Sequence, residues 1–297
     1  MSKTLSLLCR LTIIALLTAV ATGSHTAMAV ETLKIMPLGD SITEGWMASM
    51  IGHPEADIAG YRGPLYSKLV TAGYSVQFVG SNSTFPGALP AAQIHHEGHS
   101  GWMISPGMAG TEQRDGLTNH IADWLGPNGV DPDVILLMIG ANDVWWNNQL
   151  DTAPDRLSGL ISQISNKTTG LKPNAKVIVA QISPFNDDAM DARAQAYNIG
   201  VAKVVADHIE WHENVSLVDM HTALGRATDL SDLVHPNAAG YDEIADVWYQ
   251  GIAAGVPEPS SLALVGCGAV GVAAHVWLKK SVAHRRGHAT RYGKTCK

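Results

Sequence analysis

Four short stretches of this 297-residue chain carry a serine, a glycine-rich turn, an asparagine and an Asp/His pair, in that order. The first is Gly39-Asp40-Ser41. A serine at a strand-to-helix turn presents its hydroxyl outward and keeps its own N–H free of helix bonding. The second is Gly98-His99-Ser100-Gly101-Trp102, where Gly101 lets a backbone N–H approach a reacting carbonyl with no side chain in the way. In the third, Gly140-Ala141-Asn142-Asp143, the Asn142 amide can donate to an oxyanion. The fourth is Asp232-Leu233-Val234-His235-Pro236-Asn237. An Asp and a His three residues apart can face the same side of a turn. The carboxylate then bonds one imidazole nitrogen and leaves the other for a serine. Each stretch alone is also an ordinary turn or helix cap; together they are the parts of nucleophilic acyl transfer, which requires no metal or organic cofactor.

Other residues invite other readings. His53, His95, His96 and His99 are potential metal ligands, but their spacing fits no standard zinc motif. Trp102, Trp145 and Trp146 follow directly on two of the four stretches, where aromatic faces can stack on sugar rings or simply wall the core. His120 and Asp123 repeat the Asp/His separation in reverse order, within a predicted helix.

Something must hold four separated stretches together. Short Val/Ile/Leu-rich runs alternate with helical patterns between residues 30 and 255, which predicts an α/β domain with a five-stranded parallel sheet. Strands are expected at Thr32–Met36, Val76–Val79, Val134–Ile139, Val177–Ile182 and Ser216–Val218. Helices are expected at Tyr61–Ala72, roughly Met108–Leu125, Pro154–Gly170, Asp191–His208 and Pro236–Ala254. The last carries apolar residues at Ile244, Ala245, Val247, Trp248 and Ile252, one face of a helix. Right-handed crossovers give a three-layer, doubly wound, flavodoxin-like fold, in which ligand groups gather beyond the carboxyl ends of the strands. Gly80 to Gly110 reads as a long rim loop.

The ends differ from this body. Residues 1–29 place Lys3 and Arg10 around the apolar run Leu11–Val20 and finish Ala27-Met28-Ala29, the order of a secretory signal. After residue 255 comes Val256-Pro257-Glu258-Pro259, an apolar run from Ser260 to Leu278 of about 19 residues, just long enough for a bilayer, and then Lys279-Lys280 and Arg285-Arg286. That basic cluster would stay on the cytoplasmic side. All 27 acidic residues lie between Glu31 and Glu258, against 11 of the 20 basic ones, a net of −16. A body this acidic repels nucleic acid and favours neutral substrates over acidic polymers. Cys9, Cys267 and Cys296 all fall in the terminal segments, which leaves the body without a thiol nucleophile or a disulfide framework.

Taken as a set, the four stretches resemble the SGNH (GDSL-type) hydrolase superfamily, and most nearly the carbohydrate esterase family 3 acetylxylan esterases. The supporting strings are Ile35-Met36-Pro37-Leu38-Gly39-Asp40-Ser41-Ile42-Thr43-Glu44-Gly45, Gly60-Tyr61-Arg62, Phe78-Val79-Gly80-Ser81, His96-Glu97-Gly98-His99-Ser100-Gly101-Trp102, Ile139-Gly140-Ala141-Asn142-Asp143 and His235-Pro236-Asn237-Ala238-Ala239-Gly240-Tyr241. The resemblance implies Ser41 as nucleophile, His235 as base and Asp232 as its orienting partner. It implies an oxyanion hole of the Ser41 and Gly101 N–H groups and the Asn142 amide. Trp102, Tyr61 and Arg62 are candidates for substrate contact. The implied activity is removal of acetyl groups from a polysaccharide. A lipid-directed esterase or thioesterase on the same scaffold is the alternative within enzymes, and a non-catalytic carbohydrate-binding matrix protein the alternative outside them. The C-terminal segment 256–297 resembles a PEP-CTERM sorting signal, which implies an exosortase-type processing partner, an exported protein, and membrane contact through that segment alone.

Overall fold

The computed structural model describes residues 31–47, 59–126, 129–165 and 175–256. The signal-like residues 1–29, His53 and the sorting-signal-like residues beyond Val256 lie outside them. Among the described residues, no helix is long and apolar enough to cross a membrane.

The centre is a parallel sheet whose long strands are β1 (Leu33–Gly39), β2 (Val76–Phe78), β6 (Val134–Met138), β7 (Lys176–Gln181) and β8 (Val215–Asp219), in the order β2-β1-β6-β7-β8. All of β6 is buried and β1 is buried from Ile35 onward, as continuous apolar runs covered on both faces must be. The helices are α1 (Ser41–Glu44), α2 (Arg62–Thr71), α3 (Ile121–Leu125), α4 (Ala141–Trp145), α5 (Ala153–Ser165), α6 (Asp188–Glu210) and α7 (Ala238–Gly255). Helix α2 packs on α7 and α5 on α6, the two outer layers of a doubly wound fold. Of the stripe expected on α7, Ile244, Ala245, Trp248 and Ile252 are fully buried, and Val247 packs partly buried against the core.

Two expectations are corrected. The sheet has a sixth strand, β3 (Glu97–Gly98), inside the segment expected to be loop. Strand β1 runs three residues past its expected end, to Gly39. Beyond the point where β2 stops, Leu38 and Gly39 pair instead with Glu97 and Gly98. A two-residue strand has no periodicity from which to be read. The expected helix Met108–Leu125 is the second correction. Its first half is an antiparallel hairpin, β4 (Gly107–Ala109) and β5 (Glu112–Arg114), turning at Gly110 with φ +64°. Only Leu117, Ile121 and Leu125, all buried, keep the helical spacing, in a 3₁₀ turn and α3.

The sheet order reverses between β1 and β6. The crevice beyond their carboxyl ends is where such a sheet holds ligands, and Ser41 follows β1 as Asn142 follows β6.

Candidate active site

Ser41 is the first residue of α1, and Asp40 caps that helix by accepting the Ile42 N–H at 3.0 Å. The turn is tight enough to require glycine before it. A Cβ on Gly39 would lie 2.2 Å from the Met138 carbonyl oxygen of the neighbouring strand. At the head of the helix the Ser41 N–H has no intrahelical carbonyl to bond.

His235 arrives from the far end of the chain. Its Nε2 lies 3.0 Å from Ser41 Oγ, and its Nδ1 lies 2.8 Å from Asp232 Oδ2. The other carboxylate oxygen of Asp232 accepts the N–H groups of Val234 at 2.8 Å and His235 at 2.7 Å. The carboxylate is thus locked in its own turn before it meets the ring. Partial burial pushes this carboxyl up, but the bonds from the His235 ring and the two N–H groups outweigh it and hold it below the ordinary range. A carboxylate accepts only, so Nδ1 carries the proton in the neutral ring and Nε2 offers its lone pair to the serine hydroxyl. Trp46 leans on the imidazole at 4.2 Å between ring centroids. Its carbonyl accepts the Tyr241 hydroxyl from α7, which follows His235 directly.

The opposite wall is built from the loop after β3 and the start of α4. His99 N–H bonds the Gly39 carbonyl at 3.0 Å, fixing the loop to the end of β1. The Asn142 amide donates one proton to the Trp102 carbonyl at 2.9 Å, which leaves its second N–H for the cleft. Its neighbour Asp143, fully buried, accepts Ile104 N–H at 3.1 Å and Arg156 Nη1 at 2.6 Å. Gly101 completes the turn with φ +79°. Ser41, Gly101, Asn142 and His235 line one cleft of about 340 Å³, together with Trp46, Ser100, Arg114, Trp145 and Trp146. The arrangement can move a proton from a serine hydroxyl to a histidine while N–H donors face the attacked carbonyl.

Buried acids beneath the cleft set its electrostatics. Asp40 is almost fully buried, and burial pushes its carboxyl up to about 6, against the pull of the Ile42 N–H and His235. Glu44 accepts Ser100 N–H at 2.9 Å and the Ser100 hydroxyl, pinning the turn that presents Gly101.

Three candidates for substrate contact are placed elsewhere. Tyr61 is fully buried and its hydroxyl faces Thr43 Oγ1. Arg62 is fully buried too, and its guanidinium donates to the carbonyls of Glu44, Thr84, Phe85 and Ile94. Burial depresses its pKa to about 10. It is a clamp that holds the carbonyl at the end of α1 and three loop carbonyls, and it is not among the residues that line the cleft. Trp102 stacks on His99 at 4.2 Å and meets the tilted ring of His120 at 4.6 Å, and it is not among the residues that line the cleft. His120 pairs with Asp115 at 2.8 Å, and not with Asp123. His96 is buried between Gly98 N–H and the Thr84 carbonyl; burial first, then the Arg62 charge, lowers its pKa to about 3. Among the described residues, no group of three or more His, Cys, Asp or Glu is gathered as a metal ion needs.

Two lining residues went unrecognised in the sequence, Trp46 and Arg114. Arg114 was hidden by the helix expected over residues 108–125. The signal that could have found it is Gly110-Thr111 between two short runs, a two-residue hairpin turn beginning with glycine.

The chain is similar to known esterases. The chain is 36% identical to a family 3 carbohydrate esterase of Clostridium thermocellum, covering 74% of this chain and 94% of that one with a TM-score of 0.58. It is 27% identical to a family 3 carbohydrate esterase of Talaromyces cellulolyticus, covering 74% and 96% with a TM-score of 0.57. A multidomain esterase of Ruminococcus flavefaciens is 31% identical over 264 residues; the match takes in 80% of this chain but only 31% of that protein, so the chain spans about a third of it. Residues 38–243 match the GDSL-like lipase/acylhydrolase family, and that segment contains every residue of the Ser41–His235–Asp232 relay and its facing donors. The chain therefore belongs to the GDSL-like lipase/acylhydrolase family.

Proposed function

We propose that this domain removes acetyl groups from a neutral polysaccharide, through an acyl-enzyme formed on Ser41. The observation that carries the reading is the unbroken relay Ser41 Oγ–His235 Nε2 at 3.0 Å and His235 Nδ1–Asp232 Oδ2 at 2.8 Å, opening on a cleft that Gly101 and Asn142 also line. His235 takes the proton of Ser41 as its oxygen attacks the ester carbonyl, and Asp232 keeps the ring in the tautomer that can accept it. The charge that develops on the carbonyl oxygen falls to the N–H groups of Ser41 and Gly101 and the free amide proton of Asn142. His235 then returns the proton to the departing sugar hydroxyl, and water, activated by the same ring, releases acetate from Ser41.

The sugar and the acetyl group come from the acetylxylan esterases that the sequence resembles. The cleft supports this reading: it is small, and tryptophans flank it while Ser100, Arg114 and Asn142 add polar groups to a largely apolar lining. The same reading has the protein exported through residues 1–29 and processed by an exosortase-type partner through residues 256–297. Support for this comes from the charged, apolar and small-residue order of those segments. The test is acetate release from acetylated xylan by residues 30–255, beside turnover of acetyl and octanoyl esters. Acetate release with acetyl preferred is expected. A strong octanoyl preference would move the assignment to a lipid-directed esterase.

A further inference from the structure

Arg114 stands in the cleft without a part in the relay. It is carried by β5, and the hairpin is anchored at its base. Gly107 lies against Asn148, Met103 N–H bonds the Asp115 carbonyl at 3.0 Å, and Leu117 N–H bonds the Met103 carbonyl at 3.1 Å. At the hairpin's tip, a Cβ on Gly110 would meet the Trp146 ring at 3.8 Å. The hairpin therefore places Arg114 and borders Trp146 on the same wall. The Arg114 Nη2 holds Glu112 at 2.9 Å, while Nη1 lies 3.5 Å from where a Gly101 side chain would begin. With side chains 42% and 71% exposed, an ion pair of this kind contributes only about 0–1 kcal/mol to folding. Structural need does not explain an arginine here.

We propose that Arg114, with Glu112 and Trp146, forms a subsite that binds the neutral sugar on the alcohol side of the scissile ester. The proposal rests on the reading of the protein as a carbohydrate deacetylase. A pyranose offers an apolar C–H face and a rim of adjacent hydroxyls. Trp146, 43% exposed at the cleft, suits the first. A guanidinium fork with a carboxylate beside it suits the second, since it supplies donors and acceptors together at the spacing of a vicinal diol. The same pairing argues against an acidic sugar. Glu112 already occupies one edge of the guanidinium, and residues 31–258 carry a net charge of −16. A substrate carboxylate would meet both.

The test compares kcat/KM on mono-O-acetyl xylotriose with kcat/KM on ethyl acetate, which has the same acyl group and no sugar. In Arg114→Ala the sugar-to-ethyl ratio is expected to fall about tenfold or more, chiefly through KM for the sugar ester. Arg114→Lys should restore part of it, and Glu112→Gln, altering an exposed side chain, should lower the ratio in the same direction. A ratio within about twofold of wild type in Arg114→Ala overturns the subsite. So does an equal loss on both substrates, which would put Arg114 at the reacting carbonyl. A wild-type preference for a uronate-bearing acetyl ester that Arg114→Ala abolishes overturns the neutral assignment. Equal wild-type kcat/KM on the two esters overturns the carbohydrate reading itself and the subsite with it, whereas a wild-type sugar preference that survives Arg114→Ala overturns the subsite alone.

Discussion

Among the described residues, two serine–histidine–carboxylate chains have nearly the same dimensions. In the cleft, Ser41, His235 and Asp232 are linked at 3.0 and 2.8 Å. Between α5 and α6, Ser158 Oγ lies 3.0 Å from His208 Nε2, and His208 Nδ1 lies 2.8 Å from Glu213 Oε2. Distances alone do not tell them apart; their surroundings do. Ser158 sits in the interior of α5, a helix of 13 residues, where backbone N–H groups bond carbonyls four residues back and none is free for an oxyanion. Its histidine is fully buried, with the edge of Trp211 against it at 4.8 Å. Ser41 heads its helix, at the carboxyl end of a strand, in an open cleft with Gly101 and Asn142 opposite. The second chain is a polar tie between two helices. A relay becomes a site through free N–H donors and access, which strand ends provide and helix interiors do not.

Substitutions can break this contrast. Ser41→Ala is expected to lower kcat for acetyl ester hydrolysis by about 10⁴-fold or more with the fold intact by circular dichroism. Asn142→Ala should cost about 10²–10³-fold in kcat, the size of one lost oxyanion donor, because the other two remain. A steady-state comparison of the two variants sets their order.

The buried acid beneath Ser41 gives a smaller, thermodynamic signal. Burial raises the Asp40 carboxyl from its ordinary 3.8 to about 6 in the fold. Between those values the folded state binds more protons than the unfolded one, so this group's contribution to stability falls as pH rises through that window and stays lost above it. Asp40→Asn should remove about 1–3 kcal/mol of that pH dependence, read from urea unfolding at pH 4 and pH 7. Asp232 acts in the opposite sense. Its lowered pKa contributes stability above the ordinary carboxylate range, and that contribution is lost as pH falls through the folded value. Smallest of all is the expected effect of Ser158→Ala on catalysis. Turnover should stay within about twofold of wild type, while stability drops by about 1–3 kcal/mol as buried His208 loses a hydrogen-bond partner.

The contrast also explains how much was legible in the sequence. Ser41 and Asn142 follow strand ends within two residues of a glycine, Gly101 is itself a glycine, and Asp232 and His235 share one loop, so each could be proposed from a short local string. The long strands could be read because β6, and β1 from Ile35 onward, are continuous apolar runs. What escaped depends on pairing between distant segments. Glu97–Gly98 is a strand only because Leu38 and Gly39 extend past β2. Arg114 reaches the cleft only because residues 107–114 fold as a hairpin. Tyr61 and Arg62 misled for a related reason. A family string marks residues that hold the turns as well as residues that meet the substrate, and Arg62, with four carbonyls on its guanidinium, is of the first kind.

Ser41, and not Ser158, is expected to be an activated nucleophile. A fluorophosphonate probe, followed by intact mass and peptide mapping, distinguishes the two serines. One adduct per chain, on the peptide containing Ser41 and lost in Ser41→Ala but kept in Ser158→Ala, is the predicted result. An adduct on Ser158, or labelling that survives Ser41→Ala, would contradict it.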